Sequence, residues 1–272
     1  MTITALHNLG NTCYLNAALQ LVMRCDGFVR GLSTKDDAFK DFANAYHSTP
    51  ENEAMQPNHI LNLVRNRLTP SQQHDAEEFL VIFLELFDKI SKKFFDYRSY
   101  TYIENTEHQD EKKINKHNGR ILSLTVEENI GKAYKIFCAE EEIDGWLSEH
   151  MNRKVRAIRT SAIYFWPSYL LVSFRRYNMD LKKIDADVMI PMVWTIHNKT
   201  SSERKDSITY HVAGSILHIG GTSSGHYVAM IRDHPSGDFI LVDDSHKSAL
   251  KMATAKRMLM KSYIVLYERR EN

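Results

Sequence analysis

Cysteine is scarce in this chain: Cys13, Cys25 and Cys138 are the only three among 272 residues, and they lie far apart. Such spacing makes no disulfide framework, and free thiols belong in a reducing, intracellular compartment, cytoplasm or nucleus. Long hydrophobic runs are lacking too. None approaches the ~20 residues that span a bilayer, and the N-terminus lacks a signal-peptide core. Charge of one sign is absent, with 35 Lys and Arg against 34 Asp and Glu and a net charge of +1. That balance gives no support for a nucleic-acid or membrane-surface partner. No internal repeat is visible. What remains, 43% hydrophobic and 25% charged residues, is an ordinary globular composition at a length that allows a sizeable core.

The first third reads as helical. Leu15, Ala18, Leu19, Val22 and Met23 recur at helical spacing behind Cys13, with Asn11 or Thr12 as the cap. Phe39, Phe42, Ala43 and Tyr46 form a second stripe, and Ile60, Leu61, Val64 and Leu68 a third. Pro70 and Ser71 open a long helix carrying Ala76, Phe79, Leu80, Phe83 and Phe87. Residues 103–120 are polar and read as a solvated loop, a long hairpin connection or a disordered stretch. From about residue 169 the pattern changes to strands, at 169–177, 187–196, 208–219, 226–233, 239–244 and 262–268. Helices followed by short-linked strands define an α+β protein.

Cys13 stands in the first turn of its helix, where free backbone N–H groups and the helix dipole favour a thiolate. Taken alone, such a cysteine is more often inert. His226 follows the glycine- and serine-rich segment GGTSSG and opens a strand, a rigid place from which to present an imidazole. Asp243 or Asp244, at the end of the next strand, can supply the third group that orients a catalytic histidine, because strands 226–233 and 239–244 form a hairpin through the HPSGD turn. Each residue alone has a bland reading. The order Cys, His, Asp, with helices before strands, makes the set specific.

Six segments then carry a resemblance in order along nearly the whole chain. They are NLGNTCYLNAALQ (8–20), QHDAEEFL (73–80), PSYLLVSFRRYN (167–178), YHVAGSILHIGGTSSGHYVAM (210–230), LVDDSHKS (241–248) and SYIVLYER (262–269). Together they resemble the catalytic domain of the ubiquitin-specific proteases, papain-like cysteine hydrolases. The resemblance implies a helical thumb (1–98), a reduced fingers region (99–166) and a β-rich palm (167–272) in one catalytic domain. It makes Cys13 the nucleophile, His226 its base and Asp243 the orienting acid ahead of Asp244, which is supportive. Asn8 becomes an oxyanion-hole donor. Asp75, with Glu78 on roughly the same helix face, meets the basic tail of the modifier, and Gly225 and Tyr227 line the tail's path.

Many relatives carry two CxxC pairs that bind a structural zinc in the fingers. Nothing here matches them, because Cys138 is the single cysteine after residue 26, so neither metal nor cofactor is expected. The reduced fingers must instead hold by pairing of 121–129 with 155–166 and by Tyr100, Tyr102, Ile121, Leu122, Leu124, Ile163 and Phe165. His211 and His218 read as structural. The expected activity is thiol-dependent hydrolysis after the C-terminal glycine of ubiquitin or a ubiquitin-like modifier, by a monomer. A catalytically inactive ubiquitin-binding module and a general papain-like peptidase are the rivals. A thiol-reactive ubiquitin probe distinguishes the first, and cleavage of short unstructured peptides the second.

Overall fold

In the computed structural model, which describes residues 3–69, 72–180, 182–197, 207–221, 225–234 and 236–270, the first third of the chain is helical. Strand β1 (Ala5–Leu6) leads into α1 (Cys13–Val22), α2 (Asp26–Ser33) and α3 (Asp37–Ser48). Strand β2 (Ala54–Met55) pairs in parallel with β1, and α4 (Asn58–Val64), α5 (Ala76–Leu86) and α6 (Asp88–Phe94) complete the layer. The apolar stripes of α3, α4 and α5 point inward as their spacing requires. Every residue of α1 is buried, so its polar members need internal partners. Gln20 donates to the Thr4 carbonyl (2.8 Å) and accepts from the Tyr46 hydroxyl (2.7 Å).

The remaining elements are β3 (Tyr97–Asn105), β4 (Lys112–Gly119), β5 (Ile121–Leu124), α7 (Ile130–Phe137), β6 (Glu141–Ser148), β7 (Arg153–Phe165), β8 (Tyr169–Phe174), β9 (Val193–His197), β10 (Ser207–Gly220), β11 (Gly225–Arg232), β12 (Phe239–Asp243), β13 (His246–Leu250), α8 (Met252–Met260) and β14 (Ile264–Arg270). The larger sheet runs β13-β12-β11-β10-β14-β8-β5, with β9 also on β10. Helices cover both of its faces. The α1–α5 side packs on Leu171, Ala213, Ile216, Ala229, Ile231 and Leu266. On the other face, α7 and α8 close over Leu170, Val172, Val212, Val228 and Met230, beside Trp166, Trp194, Tyr210 and Tyr267. The central strands are therefore buried on both sides, and β8 is buried along its whole length, apolar apart from Ser173. A second sheet, β4-β3-β7-β6, is built from two hairpins joined along β3 and β7.

Several expectations need correction. The helix expected to open at Pro70 and Ser71, which lie outside the described residues, begins at Ala76. Asp75, in extended backbone, ends the preceding segment there by accepting the N–H groups of Glu77 and Glu78. The polar stretch 103–120 is mostly hairpin, formed by the end of β3 and β4. Its polarity reflects a strand pair exposed on much of both faces, where ladder hydrogen bonds rather than burial hold the chain. Residues 121–129 do not pair with 155–166. Their strand, β5, lies parallel to β8 in the larger sheet, with Leu122 and Leu124 in its core, and β7 pairs instead with β3 and β6. Phe165 is half exposed, under the guanidinium of Arg98.

Candidate active site

Cys13 is the first residue of α1. The preceding turn uses left-handed backbone at Gly10 (φ +93°) and Asn11 (φ +54°). Thr12 occupies the cap position, but its hydroxyl accepts the N–H of Leu9 (2.9 Å) and makes no side-chain cap. Gly214 on β10 lets α1 seat on the sheet: a Cβ there would come within 2.8 Å of Leu21 Cδ2 and 2.9 Å of Ile231 Cδ1. The helix thus presses on β10, β11 and β12, and β11 carries His226 as its second residue.

The hairpin of β11 and β12 has the expected register, Ala229 opposite Val242 and Arg232 opposite Phe239. It returns Asp243 to the start of β11, where Asp243 Oδ1 lies 2.6 Å from His226 Nε2. That contact leaves Nδ1 as the ring nitrogen free to serve a thiol. Asp244 turns away in left-handed backbone (φ +49°). Its carboxylate accepts from Asn8 Nδ2 and Asn16 Nδ2, each at 2.8 Å, and its carbonyl accepts from the Leu6 N–H at 3.0 Å. The two neighbouring acids therefore serve different partners. Asn8 is held from both ends, since its Oδ1 also accepts from the N–H groups of Gly10 (3.0 Å) and Thr12 (3.1 Å).

The electrostatics of Cys13 run against the simple helix-terminus argument. Its thiol is buried (3% exposed), and burial, aided by the charge of Asp244, pushes its pKa up. Backbone hydrogen bonds from Tyr227, Tyr14 and Cys13 itself oppose this without overcoming it.

Asp75 is more occupied than its sequence position suggests. Besides capping α5, it accepts the hydroxyls of Tyr227 (2.7 Å) and Tyr263 (3.0 Å), tying the helix to β11 and to the segment entering β14. Its neighbouring acid in this network is Glu77 rather than Glu78. Glu77 accepts from Ser173 Oγ (3.0 Å) and Tyr263 (3.3 Å), and burial raises its pKa. Glu78 stays exposed, 3.7 Å from His74. Tyr227 is buried beneath the ring of His218 (centroids 4.5 Å apart), whose Nδ1 meets the Tyr177 hydroxyl at 2.6 Å. Gly225 must be glycine, since a Cβ would fall 1.8 Å from His218 Nε2, and its carbonyl accepts a short bond from Gln73. Residues 222–224 of the glycine-rich segment lie outside the described residues. Asn16, Gln73, Glu77, His218 and Tyr263 were thus missed as site neighbours. All five stand inside the quoted motifs, and Asn16 is, with Gln20, one of two amide side chains on a helix of mostly apolar residues, a signal in itself.

Among the described residues, His226, Asp243 and Asp244 are the three side chains close enough to share a metal ion. Their hydrogen bonds to one another and to Asn8 and Asn16 suit orientation of an imidazole and an amide equally well.

The helix that Cys13 leads packs against the two strands carrying the His226–Asp243 pair, and Asn8 shares the Asp244 carboxylate with Asn16 of that helix. The family profile described as ubiquitin carboxyl-terminal hydrolase matches residues 4–267. The chain belongs to that family. It is 24% identical to ubiquitin carboxyl-terminal hydrolase 48 of Danio rerio over 89% of its own length and 27% of the relative's. It is 25% identical to the probable ubiquitin carboxyl-terminal hydrolase 16 of Schizosaccharomyces pombe over 97% of its length and 66% of the relative's. The chain thus spans under two-thirds of these relatives. The solved SAGA Ubp8/Sgf11/Sus1/Sgf73 DUB module bound to ubiquitin aldehyde contains a chain of the same fold, with TM-score 0.83, 19% identity and coverage of 98% of this chain and 70% of that one.

Proposed function

We propose that this chain is a cysteine-type deubiquitinase that hydrolyses the bond after the C-terminal glycine of ubiquitin or a ubiquitin-like modifier. The observation that carries the reading is the 2.6 Å contact of His226 with Asp243 on the two strands against which the Cys13 helix packs. His226 Nδ1 takes the Cys13 proton as the thiol sulfur attacks the carbonyl, and returns it to the departing lysine amine. Water then attacks the thioester with His226 again as base, restoring the thiol. Asp243 holds the imidazole tautomer and steadies the imidazolium. The Asn8 amide, oriented by Asp244, stabilises the oxyanion.

The tail of the modifier runs past Asp75, Glu78, Gly225 and Tyr227. Narrow approach to the buried thiol favours the small glycines that end such modifiers. The modifier's folded body meets the four-stranded sheet. Relatives named as ubiquitin hydrolases and a neighbour titled as bound to ubiquitin aldehyde support ubiquitin as the partner. The enzyme acts as a monomer in a reducing intracellular compartment, and among the described residues no helix is long and apolar enough to cross a membrane. A ubiquitin bearing a C-terminal thiol-reactive group tests the reading directly. Labelling at Cys13 that disappears in Cys13→Ala is expected, and absence of labelling in the intact protein would overturn it.

A further inference from the structure

The four-stranded sheet has little apolar interior. Its buried hydrophobic side chains are Val155, Ala157 and Ile163, and Tyr100 stacks on Tyr164 with centroids 5.7 Å apart. Such a sheet needs other ties where its two hairpins end. At that tip, the β3–β4 and β6–β7 turns meet around one carboxylate. Glu111 Oε2 accepts from Asn105 Nδ2 (2.7 Å) and Ser148 Oγ (2.6 Å). Its Oε1 accepts from the backbone N–H groups of Glu149 (2.7 Å) and His150 (3.1 Å). Asn105 and Ser148 are fully buried, and each also serves its own turn, through the N–H of Glu107 and of Met151. Around this centre, Thr106 bonds the Arg156 carbonyl, Arg153 pairs with Glu107, and the His108 and His150 rings touch, centroids 4.1 Å apart.

All four groups bonded to the carboxylate are neutral donors, so the negative charge is held by hydrogen bonds rather than by an ion pair. Burial works to raise the pKa of Glu111. The bonds from Ser148, Asn105, His150 and Glu149 outweigh it and hold the carboxyl at about 2. Three of the four donors lie on the far hairpin or its turn, so the carboxylate joins two chain segments 37 to 39 residues apart.

We propose that Glu111 is a positioning residue for recognition of the modifier's folded body: its carboxylate clasps the two hairpin turns so that the four-stranded sheet meets the modifier as one rigid surface. The inference rests on the deubiquitinase reading above, and it places the effect in binding rather than in chemistry. It also distinguishes charge from volume. Each oxygen of Glu111 receives two donors, so a glutamine of the same shape must turn its own N–H₂ against one of the donor pairs.

The test compares the wild-type chain, Glu111→Gln and Ser148→Ala. Steady-state kinetics use ubiquitin with a C-terminal fluorogenic amide. Alkylation of Cys13 by iodoacetamide reports the catalytic centre without a folded substrate, and hydrogen exchange at the Glu149 and His150 amides reports the clasp. In Glu111→Gln we expect KM to rise about tenfold with kcat within about twofold, an unchanged alkylation rate and faster exchange. Ser148→Ala, which keeps three of the four bonds, shows a smaller rise and serves if the glutamine variant fails to fold. Faster exchange with an unchanged KM in the folded variant overturns the clasp as a recognition device. A wild type that leaves the ubiquitin substrate intact overturns the functional reading instead.

Discussion

Two adjacent aspartates show how much a single residue step decides. Asp243 ends β12 pointing at His226, while Asp244, in left-handed backbone, points at Asn8 and Asn16. Removing Asp243 leaves the imidazole without its orienting group, and losses of about 10²–10⁴ in kcat are expected by analogy with other triads. Asp244→Ala acts mainly through the Asn8 amide, so a smaller loss, about 10–10² in kcat, is expected, with the thiol limb of the pH profile moved toward lower pH because the charge of Asp244 helps hold the Cys13 pKa up. A larger loss in Asp244→Ala would exchange the two roles. The thiol itself makes a second prediction. Because burial raises its pKa, Cys13 is protonated in the free protein near neutrality, so its rate of alkylation by iodoacetamide should climb with pH through the alkaline range. A flat rate below pH ~7 would reveal a resting thiolate–imidazolium pair instead. Cys13→Ala should abolish hydrolysis, and Cys25, fully buried with its pKa pushed well up, should resist alkylation.

At the scale of elements, Asp75 unites roles that the sequence keeps apart. It caps α5 and receives two tyrosine hydroxyls from the neighbouring sheet, so Asp75→Ala should cost about 1–2 kcal/mol of stability as a lost cap, besides raising KM for a ubiquitin substrate. Thermal unfolding measured beside the kinetics separates the two, and an unchanged melting temperature would remove the structural role. This double duty also shows where the sequence was legible. The motif spelled out Asp75 and the helix behind it, but not the tyrosines that reach it, because Tyr227 and Tyr263 arrive 152 and 188 residues later through strand register. The catalytic order and the β11–β12 hairpin could be read because they are local patterns. The pairing of β5 with β8 could not, since a short apolar strand fits either sheet equally well by pattern alone. The polar hairpin β3–β4 escaped for the opposite reason: its stability lies in backbone bonds that side-chain hydrophobicity does not report.

Over the whole molecule, the two sheets are held together differently. The larger sheet carries His226 and Asp243 at its surface and is held by two extensive cores, one of which includes Cys13, whereas the smaller sheet depends on ladder bonds and the Glu111 carboxylate. Arg120 lies at their junction and binds Asp96 (3.0 Å), the Leu84 carbonyl (3.0 Å) and Asp88. Because the pKa of Glu111 is depressed to about 2, its contribution to stability is complete above the ordinary carboxylate range and is lost progressively as pH falls from there through about 2, while the folded protein keeps the carboxylate ionised until about 2. The amides of Glu149 and His150 should therefore remain protected from exchange at pH ~4, where ordinary surface carboxylates are already half protonated. The same architecture predicts indifference to metal chelation. The side chains that join the fingertip turns, Asn105, Glu111 and Ser148, have their polar atoms committed to one another, and the one cysteine of this region, Cys138, follows α7 on the larger sheet. Prolonged treatment with a strong chelator should leave both the melting temperature and hydrolysis of a ubiquitin amide unchanged. A cooperative loss of either on chelation, restored by added zinc, would mean that a metal and not the carboxylate holds the tip together.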